Sequence, residues 1–196
     1  MADQLEAAEA AIRAGDLVVY PTETVYGLGA DALNPPAIDR VFDLKGRDRT
    51  DPLSMAVPSI EAAHEYVETT DVVEAFMDDF LPGPVTVVAA KTGTVPDALT
   101  GGRNRVGIRV PEHDLALALL TRVAPLTATS ANVTGSESVT EIDRLDPRIR
   151  DGVTVVIDGG TTPGYESTVV DPAFGTIIRR GALADEVADW LRNHDR

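Results

Sequence analysis

The chain has 196 residues, of which 43% are apolar, and it contains no cysteine. This composition favours a packed globular core and excludes disulfides, thiolate catalysis and Cys-rich zinc sites. The net charge is −15, from 32 acidic and 17 basic residues, and among the basic residues only Lys45 and Lys91 are lysines.

The first 80 residues of the chain predict four helices and two short strands. Each predicted helix follows a residue whose side chain can accept from free backbone N–H groups, and a glycine follows each of the first two helices. The helices are predicted over residues 4–14, from the Asn34 cap to Gly46, over 60–67 and over 71–80. The strands are predicted over Leu17–Tyr20 and within PLSMAV, residues 52–57.

The chain from residue 81 onward is richer in strands. Alternation is clear in VGIRV, residues 106–110, where the three apolar residues share one face and Gly107 and Arg109 share the other. A hairpin is predicted with Ser167–Val170 against Thr176–Arg179. Further strands are predicted in VTVVAA, PLTATS and GVTVVIDGG, a brief helix after a Thr140 cap, and longer helices over Asp114–Val123 and Ala182–Arg192.

This succession of elements predicts an α/β fold, in which helices pack on one twisted mixed sheet. No repeat and no linker divides the sequence, so residues 1–196 are predicted to form a single domain. No apolar stretch reaches the roughly 20 residues that span a bilayer, and the N-terminus lacks the basic and apolar regions of a signal peptide. With the absence of cysteine, these features predict a cytoplasmic protein that does not insert in a membrane.

Four segments are unusually rich in hydroxyl groups or basic side chains. They are Pro21–Gly29, Lys45–Arg47, Thr127–Ser138 with Arg109 nearby, and Glu166–Thr168 with Arg179 nearby. Singly, each has an ordinary explanation, because such residues satisfy backbone groups at the ends of strands and helices. Considered jointly, they favour a ligand site, since ligands of α/β sheets bind at the carboxyl ends of strands.

The residue types in these segments suit phosphate groups lying beside a small polar molecule. Lysine, arginine, hydroxyls and glycine backbone N–H groups all bind anionic oxygen. The Walker and Rossmann glycine patterns are absent, as are a G-x-S-x-G nucleophile and a His pair with zinc spacing. A reaction at this site would therefore depend on placing reactants and neutralising charge, as phosphoryl and nucleotidyl transfers do.

Seven short motifs occur in a fixed order over roughly residues 5–181: PTETVYGLGADA, KGR followed by PLS, LPGPVTVV, RVGIRVPEH, PLTATSAN, DGG and ESTVVD. This order resembles that of the YrdC-like threonylcarbamoyl-AMP synthases. The resemblance implies a YrdC-like sheet around a large concave cavity of positive charge. It also implies a nucleotidyltransferase that combines L-threonine, bicarbonate (or carbon dioxide) and ATP into threonylcarbamoyl-AMP and pyrophosphate.

The resemblance assigns roles to particular residues. Lys45 and Arg47 would be catalytic, holding the ATP phosphates while pyrophosphate leaves. Thr22, Arg109 and Ser167 would bind threonine, with the Arg109 guanidinium on the substrate carboxylate. The ATP site would comprise Lys45, Arg47, Thr100, Ser130, Asn132, Ser138 and Arg179.

The resemblance implies partners as well. Mg²⁺ would accompany ATP without a metal site made by the protein, and there would be no prosthetic group. A threonylcarbamoyl transferase of the Kae/TsaD kind would pass the group to the tRNA adenosine beside the anticodon, and tRNA itself is a candidate contact. The main alternative is a non-catalytic, RNA-binding YrdC-like protein. A carbamoyl-transfer module of the hydrogenase-maturation kind and an α/β domain without a site are further alternatives, and the lack of zinc-finger cysteines disfavours the former.

The net charge of −15 favours a halophilic origin, with an ordinary acidic protein as the alternative. Molar salt would screen the self-repulsion of such a chain, because the Debye length falls to about 3 Å at 1 M. The same charge disfavours a broad RNA-binding face and leaves only a local basic pocket for phosphate groups.

Overall fold

The computed structural model describes residues 2–194. Within that range the helices are α1 (Ala2–Arg13), α2 (Pro35–Lys45), α3 (Ile60–Ala63), α4 (Asp71–Phe80), α5 (Asp97–Thr100), α6 (Asp114–Val123), α7 (Pro147–Gly152) and α8 (Ala184–His194). The strands are β1 (Val18–Tyr20), β2 (Gly27–Gly29), β3 (Ser54–Ala56), β4 (Val67–Glu68), β5 (Val85–Lys91), β6 (Arg105–Arg109), β7 (Leu126–Ser130), β8 (Val155–Val156), β9 (Thr168–Asp171) and β10 (Thr176–Arg179). Short 3₁₀ turns lie at Ile142–Arg144 and Pro172–Phe174.

The strands form one mixed sheet, which confirms the predicted α/β class. Their order is β10-β9-β5-β6-β3-β7-β2-β1-β8, and β4 pairs with β5 outside this path. The pairs β1–β8, β3–β6 and β5–β9 are parallel, and the other pairs are antiparallel. The predicted hairpin is present as β9 and β10. None of the helices within residues 2–194 is long and apolar enough to cross a bilayer.

Helix α2 forms where its sequence signals predict it. The Asn34 side chain accepts from the Ala37 N–H at 3.4 Å, and prolines occupy the first turn. Gly46 ends the helix in the left-handed region at φ 60°, a conformation that glycine adopts without strain. The buried face of α2 includes Ile38, Val41 and Phe42, as its spacing predicts.

Several predicted boundaries are wrong, and each has a local reason. The helix predicted to reach residue 67 ends at Ala63, because Val67 and Glu68 pair with β5 instead. The strand predicted from GVTVVIDGG is reduced to β8, because α7 takes up Gly152 after an Asp146 cap.

Two further corrections concern helix starts. The turn predicted after a Thr140 cap begins at Ile142, with Glu141 as its N-cap. The last helix starts at Ala184, because the Ala182 N–H donates to the Glu166 carbonyl at 2.8 Å and so still belongs to a strand contact.

Apolar side chains fill both faces of the sheet. A larger cluster joins α2, α4, α7 and α8 to one face, and a smaller cluster joins α1 and α6 to the other. Successive residues of a strand point to opposite faces of the sheet, so Met55 lies in the larger cluster and Ala56 in the smaller. Helices α1 and α6 cover only part of the second face of the sheet. The strands that they leave uncovered on that face line a cavity.

Candidate functional site

A cavity of about 670 Å³ opens on one face of the sheet. Small-molecule sites commonly measure roughly 300–1,000 Å³, so the space suits a ligand of nucleotide size. Alternate residues of the strands form its wall: Arg105, Gly107 and Arg109 of β6 line it, whereas Val106 and Ile108 lie in the apolar core. The alternation predicted from VGIRV is therefore confirmed, and it places two arginines on the cavity face.

Gly107 keeps the middle of the cavity floor open. A Cβ atom at this position would lie 2.6 Å from the Ser54 hydroxyl and 2.9 Å from Thr86 Cγ2. Both distances are too short for contacts with a carbon atom, so any larger residue would force the Ser54 and Thr86 side chains to shift.

The loop that follows β1 is held by its own hydroxyl groups. The Thr22 hydroxyl donates to the Val25 carbonyl at 2.6 Å and accepts from the Val25 N–H at 3.3 Å. The Thr22 and Thr24 hydroxyls lie 2.8 Å apart. Thr22 also lines the cavity, and it is one of the residues predicted to bind threonine. The turn therefore holds Thr22 in place in the cavity wall.

Arg109 forms an ion pair with Glu23 in the cavity wall. Its Nη2 donates to Glu23 Oε1 at 3.0 Å and to the Thr24 hydroxyl at 2.7 Å. The two charged side chains are only 11% and 13% exposed. Burial raises the pKa of Tyr20 to about 12, with Arg109 opposing and Glu23 adding to the shift, so the phenol stays neutral beside this pair.

Arg179 is held against Ser167 and Glu166. Its Nη2 donates to the Ser167 carbonyl at 2.9 Å and to the Ser167 hydroxyl at 3.0 Å, and its Nη1 lies 3.3 Å from Glu166 Oε2. Burial lowers the pKa of Arg179, while Glu166 acts in the opposite direction. Ser138 donates to Glu166 Oε1 at 3.1 Å, so it reaches the cavity wall through that carboxylate.

Arg47 and Arg103 are the cavity arginines without a carboxylate partner in the described part of the chain. Arg47 donates to the carbonyl of Pro52 at 3.1 Å, and Arg103 donates to the carbonyl of Thr50 at 3.2 Å. Arg105, in contrast, lies 2.6 Å from Asp171. Carbonyl groups orient a guanidinium without cancelling its charge, so Arg47 and Arg103 give this side of the cavity its excess positive charge.

Lys45 lies behind the cavity wall and does not line it. The side chain is buried, and Nζ donates to the carbonyls of Ser130 and Asn132 at 2.5 and 2.7 Å. Burial lowers the pKa of Lys45 to about 8, with Arg47 acting in the same direction and Glu166 opposing it. The ammonium thus links the end of α2 to the end of β7 and the residues that follow it. Ser130, whose carbonyl accepts from Lys45, also lines the cavity.

The structure brings together most of the residues predicted for the site. Those that line the cavity are Thr22, Arg47, Arg109, Ser130, Ser167 and Arg179. Lys45 and Asn132 lie one layer behind the wall, and Ser138 lies beside Glu166. Thr100 is separate from the others, because α5 turns its side chain fully inward and its hydroxyl has no partner among residues 2–194.

Four charged residues of the cavity wall were given no role from the sequence: Arg103, Arg105, Glu166 and Asp171. Alternation along β6 could have identified Arg105, because it shares a strand face with Arg109. The two carboxylates carry no comparable signal, since the role of each becomes visible only through the arginine that it contacts.

No three His, Asp or Glu side chains within residues 2–194 come together as ligands for a metal ion. The carboxylates that line the cavity are Glu166 and Asp171, and Glu23 contacts the lining residue Arg109; each of the three lies within 3.3 Å of an arginine nitrogen. Their charge is therefore already matched inside the protein.

Comparison with known families gives one model that covers most of the chain. The Sua5_yciO_yrdC model, described as "Telomere recombination", matches residues 10–181. The matched span includes every residue assigned above to the cavity wall.

Individual relatives agree with this match. A threonylcarbamoyl-AMP synthase of Pyrococcus abyssi is 41% identical over 163 residues, which are 82% of this chain and 48% of that protein. A threonylcarbamoyl-AMP synthase of Bacillus subtilis is 33% identical over 93% of this chain and 55% of its own length. The chain thus spans about half the length of these two relatives. The crystal structure of P. abyssi Sua5 complexed with L-threonine superposes with a TM-score of 0.90 at 38% identity, over 95% of this chain and 56% of that one.

Proposed function

The chain belongs to the Sua5/YciO/YrdC family, and from this premise we propose that it is an L-threonylcarbamoyladenylate synthase. The proposed reaction combines L-threonine, bicarbonate and ATP into threonylcarbamoyl-AMP and pyrophosphate. The observation that carries the proposal is the convergence of Arg47, Arg109, Ser130, Ser167 and Arg179 on one cavity of about 670 Å³. The relative of known structure that holds L-threonine supports the choice of amino acid.

The amino-acid end of the cavity is proposed to lie at Arg109. Its Nη1 makes no hydrogen bond to any residue within 2–194, so the two N–H bonds of that nitrogen remain for a substrate carboxylate. The Thr22 turn and the Ser167 hydroxyl border this region of the wall. Ser167 is already 3.1 Å from the Thr86 hydroxyl, and this contact orients it.

The phosphate end is proposed to lie between Arg47, Ser130 and Arg179. Arg47 contributes charge that no carboxylate cancels in the described chain, and Arg179 contributes a guanidinium that also anchors β9 to β10. Lys45 would act from behind by fixing the carbonyls of Ser130 and Asn132, which keeps the Ser130 hydroxyl in place. This assignment gives Lys45 a positioning role in addition to its charge.

The chemistry needs little beyond placement and charge. The neutral amine of threonine forms a bond to the carbon of carbon dioxide, supplied by bicarbonate, and loses a proton to give a carbamate. A carbamate oxygen then attacks the α-phosphorus of ATP, the bond from that phosphorus to the bridging oxygen breaks, and pyrophosphate leaves. Guanidinium groups placed on the phosphates stabilise the charge that develops as that bond breaks. A cavity that excludes water protects both the carbamate and the mixed anhydride.

The remaining participants are also proposals. Mg²⁺ would enter with ATP as part of that substrate, since the described residues offer no cluster of ligands for it. The product would pass to a threonylcarbamoyl transferase of the Kae/TsaD kind, which modifies the tRNA adenosine beside the anticodon. We propose that both steps take place in the cytoplasm and that residues 1–196 act as a single domain.

Pyrophosphate release tests the proposal. The protein is incubated in molar potassium chloride with ATP, Mg²⁺ and bicarbonate, with and without L-threonine, and threonylcarbamoyl-AMP is identified by mass spectrometry. We expect release only with threonine. Arg109→Ala and Lys45→Ala should each lower the rate by about 10²-fold to 10³-fold, the usual loss when one charge-stabilising donor is removed.

Arg122→Ala serves as the matched control, because Arg122 pairs with Glu9 on the outer face, away from the cavity. It should retain the rate of the unaltered protein. Pyrophosphate release that is indifferent to threonine would contradict the substrate assignment. Retention of RNA without turnover of ATP would favour the non-catalytic, RNA-binding alternative.

A further inference from the structure

Thr168 lies behind the cavity wall, between two residues that line the cavity. Ser167 and Val169 face the cavity, so alternation along this segment turns the Thr168 side chain to the other side of the strand, where it is fully buried. Its hydroxyl donates to the Ala182 carbonyl at 2.6 Å and accepts from the Gly181 N–H at 2.9 Å. Thr168 therefore links the start of β9 to the segment that follows β10.

This link takes over where the pairing of β9 with β10 stops. The last residues paired between the two strands are Val169 and Arg179, and a bulge precedes Arg179. Beyond Arg179, the chain is held by the Thr168 hydroxyl and by the Ala182 N–H, which donates to the Glu166 carbonyl at 2.8 Å. The Thr168 hydroxyl thus fixes the course of the chain immediately after the guanidinium-bearing residue of β10.

The segment that follows β10 is tightly packed and strained. A Cβ atom at Gly181 would lie 2.6 Å from the Ser167 carbonyl carbon, so the two backbones are in close contact. Leu183 then takes a φ of 58°, and it is the one non-glycine residue with a positive φ in the described part of the chain. Its side chain is 40% exposed, so apolar burial does not compensate the strain. Such a conformation persists only where surrounding contacts impose it, and on the β10 side of Leu183 those contacts are the bonds to Thr168 and Glu166.

We propose that Thr168 is a positioning residue for nucleotide binding and that it acts through Arg179. This inference rests on the proposed function, in which Arg179 binds the phosphate groups of ATP. Arg179 donates to the carbonyl and to the hydroxyl of Ser167 at 2.9 and 3.0 Å, so its place depends on the separation between the start of β9 and the end of β10. The Thr168 hydroxyl sets that separation from behind, since its partners lie two and three residues after Arg179.

The alternative is that Thr168 only contributes to stability, because hydroxyl groups often satisfy backbone groups at the ends of strands. The two roles differ in how Thr168 is coupled to Arg179. A role in stability alone leaves the affinity for nucleotide unchanged in the folded protein. A positioning role makes the effect of removing the Thr168 hydroxyl depend on whether Arg179 is present.

Titration calorimetry with Mg²⁺-ATP in the absence of threonine tests the proposal through a double-mutant cycle. Arg179→Ala should weaken ATP binding by about tenfold, because a charged donor to the phosphates is lost. Thr168→Val keeps the shape without the hydroxyl and should weaken binding by at least roughly fivefold. The protein with both changes should bind ATP within about twofold of Arg179→Ala alone, because Thr168 then has no arginine to position.

Thr168→Ser is the conservative variant, and Thr92→Val is the matched control. Serine keeps the hydroxyl, so Thr168→Ser should bind ATP within about threefold of the unaltered protein. The Thr92 hydroxyl also donates to a backbone carbonyl, that of Glu65 at 2.9 Å, but Thr92 does not line the cavity. Thr92→Val should therefore keep the affinity of the unaltered protein.

Effects of Thr168→Val and Arg179→Ala that simply add would overturn the inference, and so would a folded Thr168→Val protein that binds ATP normally. If Thr168→Val does not fold by thermal unfolding, Thr168→Ser decides. A loss of about tenfold with the hydroxyl in place overturns the inference, and retained affinity supports it. An unaltered protein that binds ATP but releases no pyrophosphate with threonine overturns the proposed function alone. One that does not bind ATP overturns both.

Discussion

Tyr20 lies opposite Gly27 where β1 pairs with β2, and its ring fills the space that a side chain at Gly27 would need. A Cβ at Gly27 would be 3.0 Å from Tyr20 Cζ, and a Cβ at Gly29 would be 2.9 Å from Tyr20 Cε1. The two glycines of GLG therefore form a flat surface for the ring. Tyr20 and Gly27 both line the cavity, so this strand pairing forms part of its wall.

Alanine at these glycines should destabilise the protein. Because the Tyr20 ring is buried and lies against Gly29, a Cβ there forces the ring out of its packed position, and we expect Gly29→Ala to lower the free energy of unfolding by about 1–3 kcal/mol, the usual cost of overpacking. Gly93→Ala is the control, since a Cβ there meets no atom within 4 Å. Denaturant unfolding measures both, and equal stability of the two variants would contradict this account of the strand.

Thr100 should tolerate the loss of its hydroxyl. Its Oγ1 is buried without a partner among residues 2–194, so Thr100→Val removes a polar atom that gains nothing from the fold. We expect stability to be unchanged or higher by up to about 1 kcal/mol. Thr127→Val is the contrasting variant, because the Thr127 hydroxyl donates to the Leu28 carbonyl and accepts from the Ala30 N–H. It should lose about 1–3 kcal/mol in the same urea titration. A loss of that size in Thr100→Val would indicate an unseen partner for its hydroxyl.

Lys45 should give stability a distinctive dependence on pH. Its pKa is lowered to about 8 in the folded protein from 10.5. Below pH 8 the side chain is charged in both states, and the penalty of burial is present in full. Between pH 8 and pH 10.5 Lys45 is neutral in the folded protein but still protonated in the unfolded chain, so the free energy of unfolding rises with pH.

Comparison with Lys45→Met isolates this effect. From pH 7.5 to pH 9.5 the stability of the unaltered protein, relative to that of the variant, should rise by about 2 kcal/mol. Chemical denaturation at the two pH values gives the difference, whatever the absolute stability of the variant. A difference that is flat or falls with pH would show that the Ser130 and Asn132 carbonyls keep Lys45 charged.

Salt should stabilise the protein if its acidic composition reflects adaptation to salt. With a net charge of −15, we expect the melting temperature to rise by at least roughly 5 °C between 0.1 and 2 M potassium chloride, or about 2 kcal/mol. A variant with Glu112→Gln, Glu137→Gln and Asp151→Asn should respond less, because these exposed carboxylates form no ion pair in the described chain. An identical response of the two proteins would show that salt acts by a route other than screening.

The parts of the site that could be predicted from the sequence are those marked either by alternation along a strand or by hydroxyl residues at the end of a strand. Alternation along β6 placed Arg109 on the cavity face, and hydroxyls at the end of β7 placed Ser130 there. The position of Lys45 could not be predicted, since its partners are carbonyl groups 85 and 87 residues further along the chain. Backbone carbonyls look the same at every residue type, so no sequence pattern marks them.

The fold shows the same division. Long elements with a clear apolar face, such as α2 and α6, begin and end where their sequences predict. The helices and strands that were not predicted are short: β4 has two residues, β2 has three, α5 has four and α7 has six. Segments of that length are too short to show a repeated spacing of apolar residues, so their sequences carry no clear helix or strand signal. Tertiary contacts therefore decide their conformation.

The arginine-lined cavity lies within a molecule of strongly negative total charge. A triphosphate that approaches from bulk solvent is first repelled by the whole surface, and it is attracted only once it reaches the guanidinium groups. Salt screens the long-range repulsion from the exposed surface more strongly than it screens short contacts between phosphate groups and the guanidinium groups in the cavity. Nucleotide capture by this protein should therefore become faster as salt is added, the reverse of the slowing seen when partners of opposite charge meet.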